Sequence, residues 1–101
     1  MDTIFTITVM TDDLKGIRTW GWFRTREEAH KLVLNNVTDL FELYYRYAVV
    51  CEVEPGILGN TVSETWFHAD YKNRRGPNDP TVSECEKPEK WAGIVGFGLG
   101  G

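Results

Sequence analysis

Four residues at strict two-residue spacing, Arg18, Trp20, Trp22 and Arg24, form the set in this 101-residue chain best suited to chemistry with a partner. In an extended strand such residues share one face, leaving Ile17, Thr19, Gly21 and Phe23 for the other. Indole faces stack on planar rings, and guanidinium groups add cation–π and phosphate contacts, so this surface suits a nucleotide. Arg74 and Arg75 lie in the stretch 72–80, rich in Asn, Gly and Pro, where a loop could close over a ligand. Large aromatics also build cores, so either tryptophan could instead pack beneath a helix or against a dimer partner.

Other chemistry is sparse. A nucleophile needs a base and an orienting group, and the candidates are only Cys51 or Cys85 with His30 or His68, joined by no recognisable spacing. No G-x-S-x-G elbow occurs, and the expectation is a protein that is not an enzyme. His68 and Asp70 would share a strand face, but two potential ligands do not make a metal site, and neither metal nor cofactor is expected. The cysteines form no CxxC pair, and Cys51, inside an apolar run, reads as a buried free thiol. The terminal glycines precede no helix and so are not a phosphate loop.

The elements that must position the four residues can be read in order. Residues 3–10 alternate Phe5, Ile7 and Val9 with Thr6 and Thr8, as a half-buried strand does. Asp12, Asp13 and Gly16 suit a turn into the aromatic strand, so a hairpin is expected. Thr25-Arg26-Glu27-Glu28 fits a capping box, followed by Ala29, Leu32, Val33 and Val37 at helical spacing and an end near Asn35-Asn36. Thr38 could cap a second helical turn. Residues 44–53 read as a central strand stopped by Pro55-Gly56, and residues 63–71 as another. Lys87-Pro88-Glu89-Lys90-Trp91 allows one helical turn with Pro88 at its first position, and a last, glycine-loosened strand is expected over 94–101. The fold class that follows is α+β in two layers: one main helix on a mostly antiparallel sheet of four to five strands, in the order ββαββ-β, as a single domain over residues 1–101.

Composition sets the partner class. A chain that is 42% hydrophobic and 13% aromatic can fill one core, which argues against disorder. Its net charge of -4 and pI near 5.1 argue against general nucleic-acid binding. Charge is uneven, +3 over residues 15–31 and -5 over 32–70, which allows a local basic face. The start Met1-Asp2, the lack of a basic leader and the absence of an apolar run near 18 residues lead to an expected cytoplasmic location, with no membrane contact.

Thr19-Trp20-Gly21-Trp22-Phe23 before a Glu27-Glu28-Ala29 helix, then 44–50 and Glu52, Trp66-Phe67, 86–89 and 94–98, together resemble small uncharacterised phage and prophage proteins of gut-type Firmicutes. The resemblance spans most of the chain and implies a host-takeover or counter-defence role without an established activity. The expectation is a non-catalytic, homo-oligomeric binding protein that sequesters a small nucleotide immune signal in a pocket shared between subunits, acting in the host cytoplasm. Arg18 and Arg24 would meet phosphates, Trp20 and Trp22 would stack, and Arg74 and Arg75 would gate. The alternative is a protein-binding, anti-CRISPR-like inhibitor of a host defence effector, docking through its acidic surface. A second alternative is a carrier: strand-strand-helix-strand followed by Gly100-Gly101 resembles ubiquitin-like β-grasp proteins, although Ile94, Val95, Phe97 and Leu99 suit a buried strand more than a flexible tail.

Overall fold

The computed structural model describes residues 3–11, 16–38, 40–42, 45–54, 61–71 and 80–89. Strand β1 (Ile4–Met10) and strand β2 (Ile17–Phe23) are followed by helix α1 (Arg26–Leu34) and by strands β3 (Tyr47–Val53), β4 (Thr61–Asp70) and β5 (Thr81–Cys85). The five strands form one sheet in the order β2-β1-β3-β4-β5, antiparallel at every step. One helix on one face of that sheet makes an α+β molecule of two layers, as the sequence pattern implies.

The local reasons are visible in the residues. β1 and β2 join as a hairpin closed by the Thr11 N–H donating to the Gly16 carbonyl at 2.9 Å. The helix starts where the Thr25 hydroxyl accepts from the Glu28 amide at 3.2 Å, with Glu27 and Glu28 placed in its first, electropositive turn. It stops at Asn35, whose side chain and backbone N–H both donate to the Lys31 carbonyl. Asn36 then turns left-handed at φ +46. That early stop leaves Val37 half-exposed, outside the buried stripe in which helical spacing had placed it. Among the described residues Thr38 caps no second helix: its hydroxyl donates to the Val37 carbonyl, and Glu42 stands at φ +53, outside right-handed helical geometry.

Ala29 and Val33 of α1 bury against Phe5, Ile7, Val9, Ala48, Val50, Phe67 and Ala69 of the sheet, and Leu40 and Phe41 close the end of this core. The helix start is tied down by an ion pair, Arg26 to Glu52 at 2.7 Å. Glu52 also accepts from the Thr3 and Ser63 hydroxyls, at 2.9 and 3.1 Å. The opposite face of the sheet is buried as well, around Met10, Val49, Cys51, Val53 and Trp66.

The fifth strand is not the one expected. β5 comes from Thr81-Val82-Ser83-Glu84-Cys85, a short alternating run with Val82 turned toward the helix side. The expected strand over 94–101, the loop 72–79 with Arg74 and Arg75, Lys90 and Trp91 of the turn near Pro88, and the terminal Gly100-Gly101 lie outside the described residues. Among the described residues no helix is long and apolar enough to cross a membrane.

Candidate functional site

The aromatic strand does not keep the alternation its spacing implies. Thr8 pairs with Thr19, yet Thr6 pairs with Trp22, so Trp20 and Gly21 together stand opposite the single residue Ile7. This is a β-bulge, and the extra residue is Gly21 at φ +118, a backbone state that side chains rarely adopt. Directly paired residues share a face, so the bulge reverses the side on which every later residue sits.

Arg18 and Trp20 consequently lie on the helix side, with Val9 and Ile7, whereas Trp22 lies on the other side with Thr6. The single-face set of Arg18, Trp20, Trp22 and Arg24 is therefore corrected: the bulge at Gly21 divides it. Phe23, assigned to the face of Ile17 and Thr19, crosses to the helix side for the same reason and packs on the core.

What remains on the helix side is compact. The Arg18 guanidinium carbon lies 4.4 Å from the Trp20 ring centroid, within cation–π range. Its Nη1 donates to both Glu42 carboxylate oxygens, at 3.2 and 3.4 Å. Trp20 is half-buried against the core, with an indole N–H that is shielded from solvent and meets no acceptor among the described residues. Glu42 is delivered by a tight segment in which Asn36, Thr38 and Glu42 all have positive φ. That segment is held by the Asn36 side-chain oxygen accepting from the Phe41 amide at 2.9 Å. Left-handed geometry at a β-branched threonine stores strain of about 1–3 kcal/mol, the kind of cost found where a side chain must be aimed.

On the other side, Trp22 is 58% exposed and Ile17 48% exposed, both on the outermost strand. Arg24 is exposed just past the strand and makes no ion pair with any described residue. A planar ligand could thus meet an Arg18–Trp20 stack on one side or the bare Trp22 indole on the other.

The histidines and cysteines do not assemble. His30 sits on α1 with its ring centroid 5.2 Å from that of Phe67 in an edge-on arrangement, and its buried Nε2 has no hydrogen-bond partner among the described residues. Burial, and secondarily Arg26, lower its proton affinity. Cys51 is buried on the face away from His30, and burial raises the Cys85 thiol's pKa, which disfavours the reactive thiolate. His68 stacks near Tyr47, with ring centroids 5.2 Å apart. Among the described residues no three His, Cys, Asp or Glu side chains group as metal ligands.

Sequence reasoning missed Glu42, Ile17 and the bulge. A glycine inside a strand pattern is a recognised signal of a bulge, and Trp20-Gly21-Trp22 carried it. Comparison of the chain with family models, curated proteins and solved structures gives no match.

Proposed function

We propose that the protein is a non-catalytic binding protein that sequesters a small planar anion of the nucleotide class through the Arg18–Trp20 stack. The supporting observation is the guanidinium 4.4 Å over a half-buried indole whose N–H has no acceptor among the described residues. A ligand ring would stack there while its phosphate competes with Glu42 for Arg18. The phage-type resemblance gives this sequestration its counter-defence setting. The test is tryptophan fluorescence with thermal shift across linear and cyclic nucleotides. At 100 times its dissociation constant a ligand adds about 2.7 kcal/mol of stability. One nucleotide should quench and stabilise the wild type but not a folded Arg18→Ala variant; silence across the whole panel refutes the reading.

The exposure of Ile17 and Trp22 favours a second reading, docking on a host defence protein. Retention of one host protein by the wild type, lost with Trp22→Glu, would carry it.

A further inference from the structure

β2 is the outermost strand at one end of the sheet, and its residues Ile17 to Thr19 and Gly21 to Trp22 are exposed. Among the described residues it is laddered to β1 alone. Its side chains add the Thr8–Thr19 hydroxyl contact at 3.2 Å and the Arg18 contacts to Glu42 and Trp20. The outward row of backbone N–H and C=O groups is a template for another strand.

We propose that this strand pairs antiparallel with β2 of a second copy, about a twofold axis through Thr19. The residue pattern fits this register on both faces. Thr19 would face the partner's Thr19, and Arg18 the partner's Trp20, both on the helix side. Skipping the bulged Gly21, Ile17 then meets the partner's Trp22, both on the other side. Opposed residues in an antiparallel pair must share a face: Thr19 with Thr19 and Arg18 with Trp20 do so by spacing alone, and the bulge brings Ile17 and Trp22 onto one face as well. Without it, Ile17 would sit across from Gly21. The two most exposed apolar side chains of the strand would cover each other, and an Arg would lie against an indole, the pairing already made within one chain at 4.4 Å.

Charge also selects this edge and this occupant. Arg18 is neutralised by Glu42 at 3.2 Å, so the symmetry axis does not bring two bare cations together. The other outer strand, β5, exposes Glu84, with Glu86 just beyond it, and a twofold seam there would gather acids.

The dimer also deepens the reading above, on which only its ligand role rests. Two copies would set Arg18 and Trp20 beside the partner's Arg18 and the partner's Trp20 on one continuous face. That restores the two-indole, two-guanidinium surface which the bulge divides in a single chain.

The experiment is sedimentation velocity on the full chain, with a Thr19→Cys variant run on a non-reducing gel. Residues facing each other across antiparallel strands lie within disulfide reach. The expected result is a dimer that Trp22→Glu weakens by about tenfold or more. The double variant Ile17→Lys, Trp22→Glu should restore it by placing lysine opposite glutamate, and Thr19→Cys should cross-link to a covalent dimer. A wild type that stays monomeric at every concentration overturns the proposal, as does a folded Thr19→Cys chain that never cross-links. Neither readout uses a nucleotide, so a dimer that ignores every nucleotide supports the interface while removing the sequestration reading alone.

Discussion

Trp20 and Trp22, two residues apart on one strand, point to opposite faces of the sheet because Gly21 between them is an extra residue. One indole leans on the core beneath Arg18; the other stands in solvent. The two tryptophans should therefore behave differently when removed. Trp20→Ala should cost about 2 kcal/mol, since a half-buried indole loses much of its packing. Trp22→Ala should change stability by no more than about 0.5 kcal/mol. Urea titration at low protein concentration separates the two, and equal losses would contradict the faces assigned here.

Gly21 itself tolerates little. Space for a methyl group exists, but φ +118 does not suit an L residue, so the penalty of Gly21→Ala is conformational rather than steric. A loss of about 1–3 kcal/mol is expected in chemical unfolding. An unchanged midpoint would mean that the bulge relaxes at no cost.

The Arg18–Glu42 pair has half-exposed partners, and its contribution to folding should be small. Glu42→Gln should lower stability by less than about 1 kcal/mol. It should nevertheless free Arg18, and nucleotide affinity measured by fluorescence should rise. A fall in affinity would make Glu42 part of the ligand contact instead of its competitor.

Two groups set separate pH windows. Hydrogen bonding from Thr3, then from Ser63, with the charge of Arg26, holds the Glu52 carboxyl below its ordinary value of 4.5. The folded state thus binds its proton less readily than the unfolded chain, so the stability is present above about 4.5 and lost as pH falls through the lower folded value. His30 is likewise lowered, from 6.5, by burial first and then by Arg26, with Glu84 and Glu27 opposing. Its neutral form is favoured in the fold, so stability declines as pH drops below about 6.5. Melting curves from pH 7.5 to 3 should show two steps. His30→Gln should remove the upper step and Glu52→Gln the lower, and a profile unchanged by either would refute the assignments.

Phe67, 1% exposed between the sheet and the His30 ring, is the sharpest probe of the helix-side core. Phe67→Ala should cost about 3–5 kcal/mol, enough to threaten folding in a chain this small. A loss below about 1 kcal/mol in urea unfolding would mean that this core is not packed as described.

The helix cap, the hairpin and the central strand could be read directly because each depends on neighbours in sequence. Thr25 with Glu28 is a local geometry, and residues 47–53 are apolar on both faces, as an interior strand must be. The fold class followed from their order. β5 was overlooked because Thr81-Val82-Ser83 is short and polar, and takes its strand form from pairing with His68 to Asp70. The site was misread for a different reason. Period-two alternation assumes an unbroken ladder, and one bulged glycine reverses every side chain after it. Glu42 could not be found from sequence, since it reaches Arg18 across 24 positions through a segment of left-handed residues.

The sheet buries both of its faces at β1 and β3, and this alters what aligns the strands. Where one face is wet, a one-residue slip drives an apolar row into water and is forbidden by that alone. Here a slip between the two inner strands would exchange one dry row for another, so hydrophobicity barely distinguishes the correct alignment from its neighbours. The discrimination falls to polar contacts that have one right partner, those of Glu52 with Thr3, Ser63 and Arg26. These act as index pins. Their worth lies less in the energy each contributes than in the wrong alignments that each makes costly.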